Sequence, residues 1–217
     1  MNDTEAKAWA AEWLRAVKEA FGEERIVCAG LQGSRGRGEA SPESDIDLVL
    51  ILDRAEAEDL LRYRAVLDAL PERDKACGFV SGREEPGCGE RGELFSFCRD
   101  TVPFLGSLDF AMELADREDV RRGALAGACA VYHGCVHNLL HERSGEALAA
   151  LGKAAFFVLR DLHWLETGAF LTRRRELLPL LGREERELLE GPKEDLEAFS
   201  GRLLAWSSRV IRRLGAR

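Results

Sequence analysis

Gly33-Ser34-Arg35-Gly36-Arg37-Gly38-Glu39-Ala40-Ser41-Pro42-Glu43-Ser44-Asp45-Ile46-Asp47 stands between two apolar runs, residues 26–31 and 48–52. Both runs read as strands, and the glycine-rich stretch between them reads as a turn with a short helix. Residues i and i+2 of a strand point to the same face, so the carboxylates of Asp45 and Asp47 project from one side of the sheet edge. Two carboxylates that close repel each other unless a cation lies between them. A hard divalent ion with oxygen ligands suits them best, above all Mg2+ carrying the phosphates of a nucleotide.

Working outward, an amphipathic helix is expected over about 4–21 on the spacing of Trp9, Trp13, Val17 and Phe21. Helical spacing returns over 55–70 and stops before Pro71, and residues 75–81 read as a third strand. Residues 82–92, rich in glycine and carrying Pro86, read as a loop. Residues 94–98 fit strand or helix, and 103–106 read as a further break. From about residue 115 the pattern turns helical, with helices expected near 117–141, 146–168, 173–190 and 193–214. The fold class is therefore α+β: a small mixed-sheet domain over 1–112, followed by an all-α helical bundle over 113–217.

With 217 residues, the chain can hold one large or two modest domains. Its charged fraction is 32%, its net charge is −8, and no apolar stretch approaches a membrane span. The acidic N-terminal segment does not read as a signal peptide. The acidic balance argues against extended nucleic acid, because neutralising phosphates supplies most of that affinity. The six cysteines show no C-x-x-C spacing, so they read as small hydrophobes in a reducing cytoplasm.

Gly33-Ser34, Gly38 and Ser44-Asp45-Ile46-Asp47-Leu48 together resemble the signature of the DNA-polymerase-beta-type nucleotidyltransferase superfamily. An ordinary loop before a strand accounts for either element alone, but not for turn, spacing, strand and paired acids together. The resemblance implies that Gly33 and Ser34 touch a nucleotide's terminal phosphates and that Asp45 and Asp47 bind Mg2+. Glycine lets backbone N–H groups approach an anion closely, and the serine hydroxyl adds a donor. Arg35 and Arg37 are placed to offset phosphate charge, and solvated helix positions would explain them equally well. The superfamily usually carries one more carboxylate on a following strand, but residues 75–81 contain none. Glu84 and Asp100 stand level as candidates for that catalytic acid, Asp100 on a strand reading of 94–100.

The second half, from Lys153 through Trp164 to Leu178, resembles the helical domain of bacterial nucleotidyltransferases, including those that adenylylate antibiotics. There the bundle packs beside the nucleotide site and helps to hold the acceptor. Phe156, Phe157, His163, Trp164 and Phe170 form an aromatic stripe expected to be core. His133, His137 and His141 recur every four residues, a spacing that can bind zinc. No completing ligand is apparent, so a packing or capping role is expected. Arg173-Arg174-Arg175 reads as a solvated helix start and Glu166 as an exposed helical acid.

Together these readings imply a magnesium-dependent nucleotidyltransferase. It would move a nucleoside monophosphate from a nucleoside triphosphate, ATP by default, to a hydroxyl or similar group of a small-molecule or protein acceptor. The competing reading is a non-catalytic nucleotide-binding or antitoxin-like module that binds a partner protein. Amphipathic C-terminal helices could also pair the chain as a homodimer.

Overall fold

The computed structural model describes residues 3–192 and 195–216. The chain divides into two compact units, Met1–Ala115 and Asp116–Arg217. In the first, α1 (Asp3–Phe21) leads to β1 (Ile26–Leu31), the short α2 (Gly33–Arg37) and β2 (Ile46–Leu52). Then come α3 (Ala57–Asp68), β3 (Ala76–Ser81), α4 (Arg91–Asp100), β4 (Val102–Gly106) and α5 (Asp109–Met112). The sheet order is β3-β2-β1-β4. Strand β2 runs parallel to β3, and β1 is antiparallel to both β2 and β4.

Strand β2 explains the layering. Ile46, Leu48, Leu50 and Leu52 join Trp9, Trp13, Val17 and Phe21 of α1 and Tyr63 and Leu67 of α3 in one core. Val49 and Ile51 point the other way and pack with Leu94, Cys98, Leu108 and Ala111. A strand covered on both faces needs apolar residues at nearly every position, which is why the run is unbroken. The same alternation sets Asp47 in phase with Val49 and Ile51, and Asp45 stands immediately ahead of the strand. The polar tips in the first core are paired, with Trp13 Nε1–H donating to Tyr63 Oη at 3.1 Å.

Three expectations for this unit change. Residues 94–100, for which a strand was one reading, are helical, because Leu94, Phe95 and Cys98 bury one face of α4. The break expected at 103–106 is β4, which pairs only with β1 at the sheet edge. Pro103 is tolerated there because an edge strand has one side on which no N–H is needed. The loop expected over 82–92 contains a 3-10 turn, Glu85–Cys88, and gives way to α4 at Arg91.

The second unit contains α6 (Arg117–His137), α7 (Gly145–Thr167), α8 (Arg174–Leu177), α9 (Arg183–Glu190) and α10 (Leu196–Gly215). Ala124, Ala128, Val131 and Cys135 of α6 share one core with Leu148, Ala155, Leu159 and Leu162 of α7 and Phe199, Leu203, Trp206 and Val210 of α10. The sets recur at intervals of three, four or, from Leu148 to Ala155, seven residues, the apolar stripe of an amphipathic helix. Asp116, Ser144 and Asp195 cap α6, α7 and α10 by accepting the N–H three residues on. The single helix expected over 173–190 is interrupted between α8 and α9, where Pro179 and Gly182 stand. The helix expected from 193 begins at Leu196, and residues 193–194 lie outside the described residues. Among the described residues no helix is long and apolar enough to cross a membrane.

Candidate functional site

The head of β2 is held by the turn that precedes it. Gly33 opens α2 with φ +64°, and a Cβ there would lie 1.8 Å from Asp47 Oδ2. Glycine is required twice over, for the left-handed backbone and for the bare Cα pressed against a carboxylate. The Gln32 backbone N–H donates to the Asp47 carbonyl at 2.8 Å. Its side-chain Nε2–H donates to the Phe97 carbonyl at 2.9 Å and to Thr101 Oγ1 at 3.1 Å. The turn is thereby tied to β2 on one side and to the end of α4 on the other. Ser34 follows, half-buried in the first turn of α2.

Arg35 reaches along the loop and donates from Nε to the Asp45 carbonyl at 3.1 Å and from Nη2 to the Ser44 carbonyl at 2.7 Å. It braces the backbone that carries Asp45, a use that its spacing alone does not disclose. Arg37 donates to Asp100 Oδ2 at 3.5 Å. Asp100 is buried at the C-terminal end of α4, not on a strand. Of the two candidate acids it is the one committed to a guanidinium. Glu84 is exposed, on the N-terminal side of the Glu85–Cys88 turn.

Strand β3 brings up a residue to which the sequence assigns no chemistry. The parallel register sets Cys77 opposite Asp47. Its thiol donates to Asp47 Oδ1 at 3.2 Å. Cys77 does not act as the small hydrophobe expected: β3 is an edge strand, the residue is exposed, and its thiol is hydrogen-bonded. Desolvation of the sulfur comes first, followed by the hydrogen bond to Asp47 and then the charges of Asp47 and Asp45, and together they push the thiol up to about 12. No spacing rule would have found Cys77, since its position depends on the β2–β3 register. Among the described residues no group of three or more His, Cys, Asp or Glu side chains is arranged to hold a metal ion.

In the helical unit the histidine stripe is exposed instead of packed. Helix α6 buries Val131 and Cys135, so His133 and His137 face away from the core. A π-turn over Asn138–Glu142 brings Glu142 Oε1 to 3.2 Å from His137 Nε2, and the His137 and His141 rings lie 5.1 Å apart. Of the aromatic stripe only Phe156 is core, while Phe157 is exposed. The sequence reading missed Arg160, which is 1% exposed with its guanidinium carbon 4.5 Å from the Phe170 ring centroid and 5.1 Å from that of Phe157. Its signal was a single cation inside an apolar helical run. Arg174 and Arg175 open α8, and Glu166 pairs with Arg213 at 3.0 Å.

Residues 12–81, which span α1 to β3, match the family model of the nucleotidyltransferase domain. The segment contains the Gly33 turn, Asp45, Asp47 and Cys77. No curated protein matches the chain. Among solved structures, the fold is similar to that of spectinomycin adenyltransferase AAD(9) from Enterococcus faecialis, determined with ATP and spectinomycin. The two share 12% identity over 94% of this chain and 99% of that one, with a TM-score of 0.52. At that identity the likeness is one of fold, an α+β nucleotidyltransferase architecture with a helical C-terminal region.

Proposed function

We propose that this chain, with its nucleotidyltransferase domain over residues 12–81, transfers a nucleoside monophosphate from ATP to a hydroxyl of a small-molecule acceptor and releases pyrophosphate. The observation that carries the reading is the packing of the Gly33 turn against Asp47, with Asp45 braced beside it by Arg35. A turn tied so closely to paired acids suits a triphosphate on one side and a divalent cation on the other.

Asp45 and Asp47 present hard carboxylate oxygens, a donor set that fits Mg2+ and leaves positions for phosphate oxygens to fill. The bound ion would supply Lewis-acid polarisation of the phosphoryl group and of the acceptor oxygen. The chain's own residues supply the rest. Gly33 and Ser34 receive the terminal phosphates, as the resemblance implies, and Arg35 keeps the Ser44–Asp45 backbone in place. Glu84 keeps an exposed carboxylate for the acceptor's proton, whereas Asp100 is held by Arg37. The AAD(9) structure contains ATP and an antibiotic, so hydroxylated antibiotics of the spectinomycin type are the first acceptors to try. A nucleotide-binding module without transfer is the second reading, and the want of an acid on β3 favours it.

The test is pyrophosphate release with each of the four nucleoside triphosphates and Mg2+, over aminocyclitol, aminoglycoside, lincosamide and protein acceptors, with Asp45→Asn as the blank. Release that needs one acceptor and vanishes in the blank supports the transferase. Nucleotide binding with no release from any acceptor supports the second reading, and loss of both overturns the two together.

A further inference from the structure

On the nucleotidyltransferase reading, strand β3 is where a third carboxylate is expected, yet among its residues the one set against Asp47 is Cys77. The surroundings of Asp47 show what Cys77 does there. Oδ2 faces Gly33, whose missing Cβ would lie 1.8 Å away, and Oδ1 accepts the Cys77 thiol at 3.2 Å. Two different segments, α2 and β3, therefore fix the two oxygens of one carboxylate. Asp45 has a separate brace, the Arg35 bond to its carbonyl at 3.1 Å. The register of Cys77 is set by close strand packing. Gly78 next to it adopts φ +138°, and a Cβ there would lie 2.0 Å from the Leu48 carbonyl oxygen, so the bare Cα lets β3 lie close against β2.

We propose that Cys77 is a positioning residue for the metal-binding carboxylate. It stands on β3 opposite Asp47 and orients that carboxylate through Oδ1, so that the metal-binding pair Asp45 and Asp47 has a thiol donor beside it on β3. This rests on the transferase reading and concerns the same site. Partners that orient a metal-binding side chain are worth about 10- to 100-fold in metal affinity when removed.

The experiment measures calorimetric binding of a non-hydrolysable ATP analogue as Mg2+ is varied, for the full chain and for Cys77→Ala and Cys77→Ser, with thermal melting alongside. Wild type that binds the analogue in a Mg2+-dependent way establishes the underlying reading. Given that, Cys77→Ala should raise the half-saturating Mg2+ by about 10-fold or more. Cys77→Ser, which keeps a donor, should restore most of it. A Cys77→Ala protein with wild-type Mg2+ dependence overturns the positioning role, as does a Cys77→Ser protein as weak as the alanine variant. If Cys77→Ala fails to fold, wild type against Cys77→Ser decides, because a donor-retaining variant shifted by 10-fold or more also counts against it. Wild type with no Mg2+-dependent binding defeats the transferase reading itself, a result distinct from either of these.

Discussion

At the head of β2, Asp45 and Asp47 stand two residues apart; along α6 and its π-turn, His133, His137 and His141 stand four apart. Each spacing is one at which side chains capable of holding a metal are expected to share a face. Around the aspartates, Gly33 and Arg35 of α2 and Cys77 of β3 converge from two separate stretches of chain. Around the histidines, neighbours come from the same helix end, with Glu142 at 3.2 Å from His137. The helix buries Val131 and Cys135 on its other side, which turns the stripe to water. Regular spacing aligns groups, and only packing from distant segments fixes them.

The sharpest way to break this contrast is Gly33→Ala. The new methyl would meet Asp47 Oδ2 and occupy a left-handed backbone position. The backbone strain costs about 1–2 kcal/mol. Pyrophosphate release should fall by about 100-fold, the upper end for loss of a ligand-orienting contact. Activity near wild type would show that the turn does not set the carboxylate.

Asp100→Asn asks whether the buried acid near the site is structural. Weakening its pairing with Arg37 should lower unfolding stability by about 1.5–3 kcal/mol in a denaturant titration. Turnover of the folded protein should stay within a few-fold. A collapse of turnover at unchanged stability would restore Asp100 to the chemistry.

A smaller effect belongs to the Arg25–Asp59 pair on the opposite layer of the same unit, with Nη1 and Oδ1 at 2.8 Å. The hydrogen bond from Arg25 leads the causes that lower Asp59 from 3.8 to about 2. A carboxyl lowered on folding contributes stability that is present above its ordinary value and lost as pH falls from about 3.8 towards about 2. Melting temperature should therefore drop through that window, and Asp59→Asn should flatten the drop while lowering stability at neutral pH. An identical profile in the variant would remove the pair from the account.

Smallest of all, His137→Ala and His141→Ala should leave both turnover and melting temperature where they are, since the stripe is exposed and contacts no core. A loss of zinc-dependent stability on either substitution would make the stripe a site and erase the contrast.

Much of this was legible in the residues. The unbroken 48–52 run implied a central strand, and alternation along it sets Asp47 in phase with Val49 and Ile51, because strand periodicity is local and period two. The helices of the second half followed from apolar spacing for the same reason, although Pro179 and Gly182 broke one of them. Residues 94–98 stayed open because Leu94-Phe95 and Phe97-Cys98 suit either state, and in the fold Leu94 and Cys98 of α4 pack with Val49 and Ile51. What tertiary structure alone decided is who stands beside whom. Cys77 faces Asp47 through the β2–β3 register, and Asp100 meets Arg37 across an interval of 63 residues. Local geometry sets the direction of each side chain within its own element, whereas its partners depend on register and packing between segments far apart in the chain.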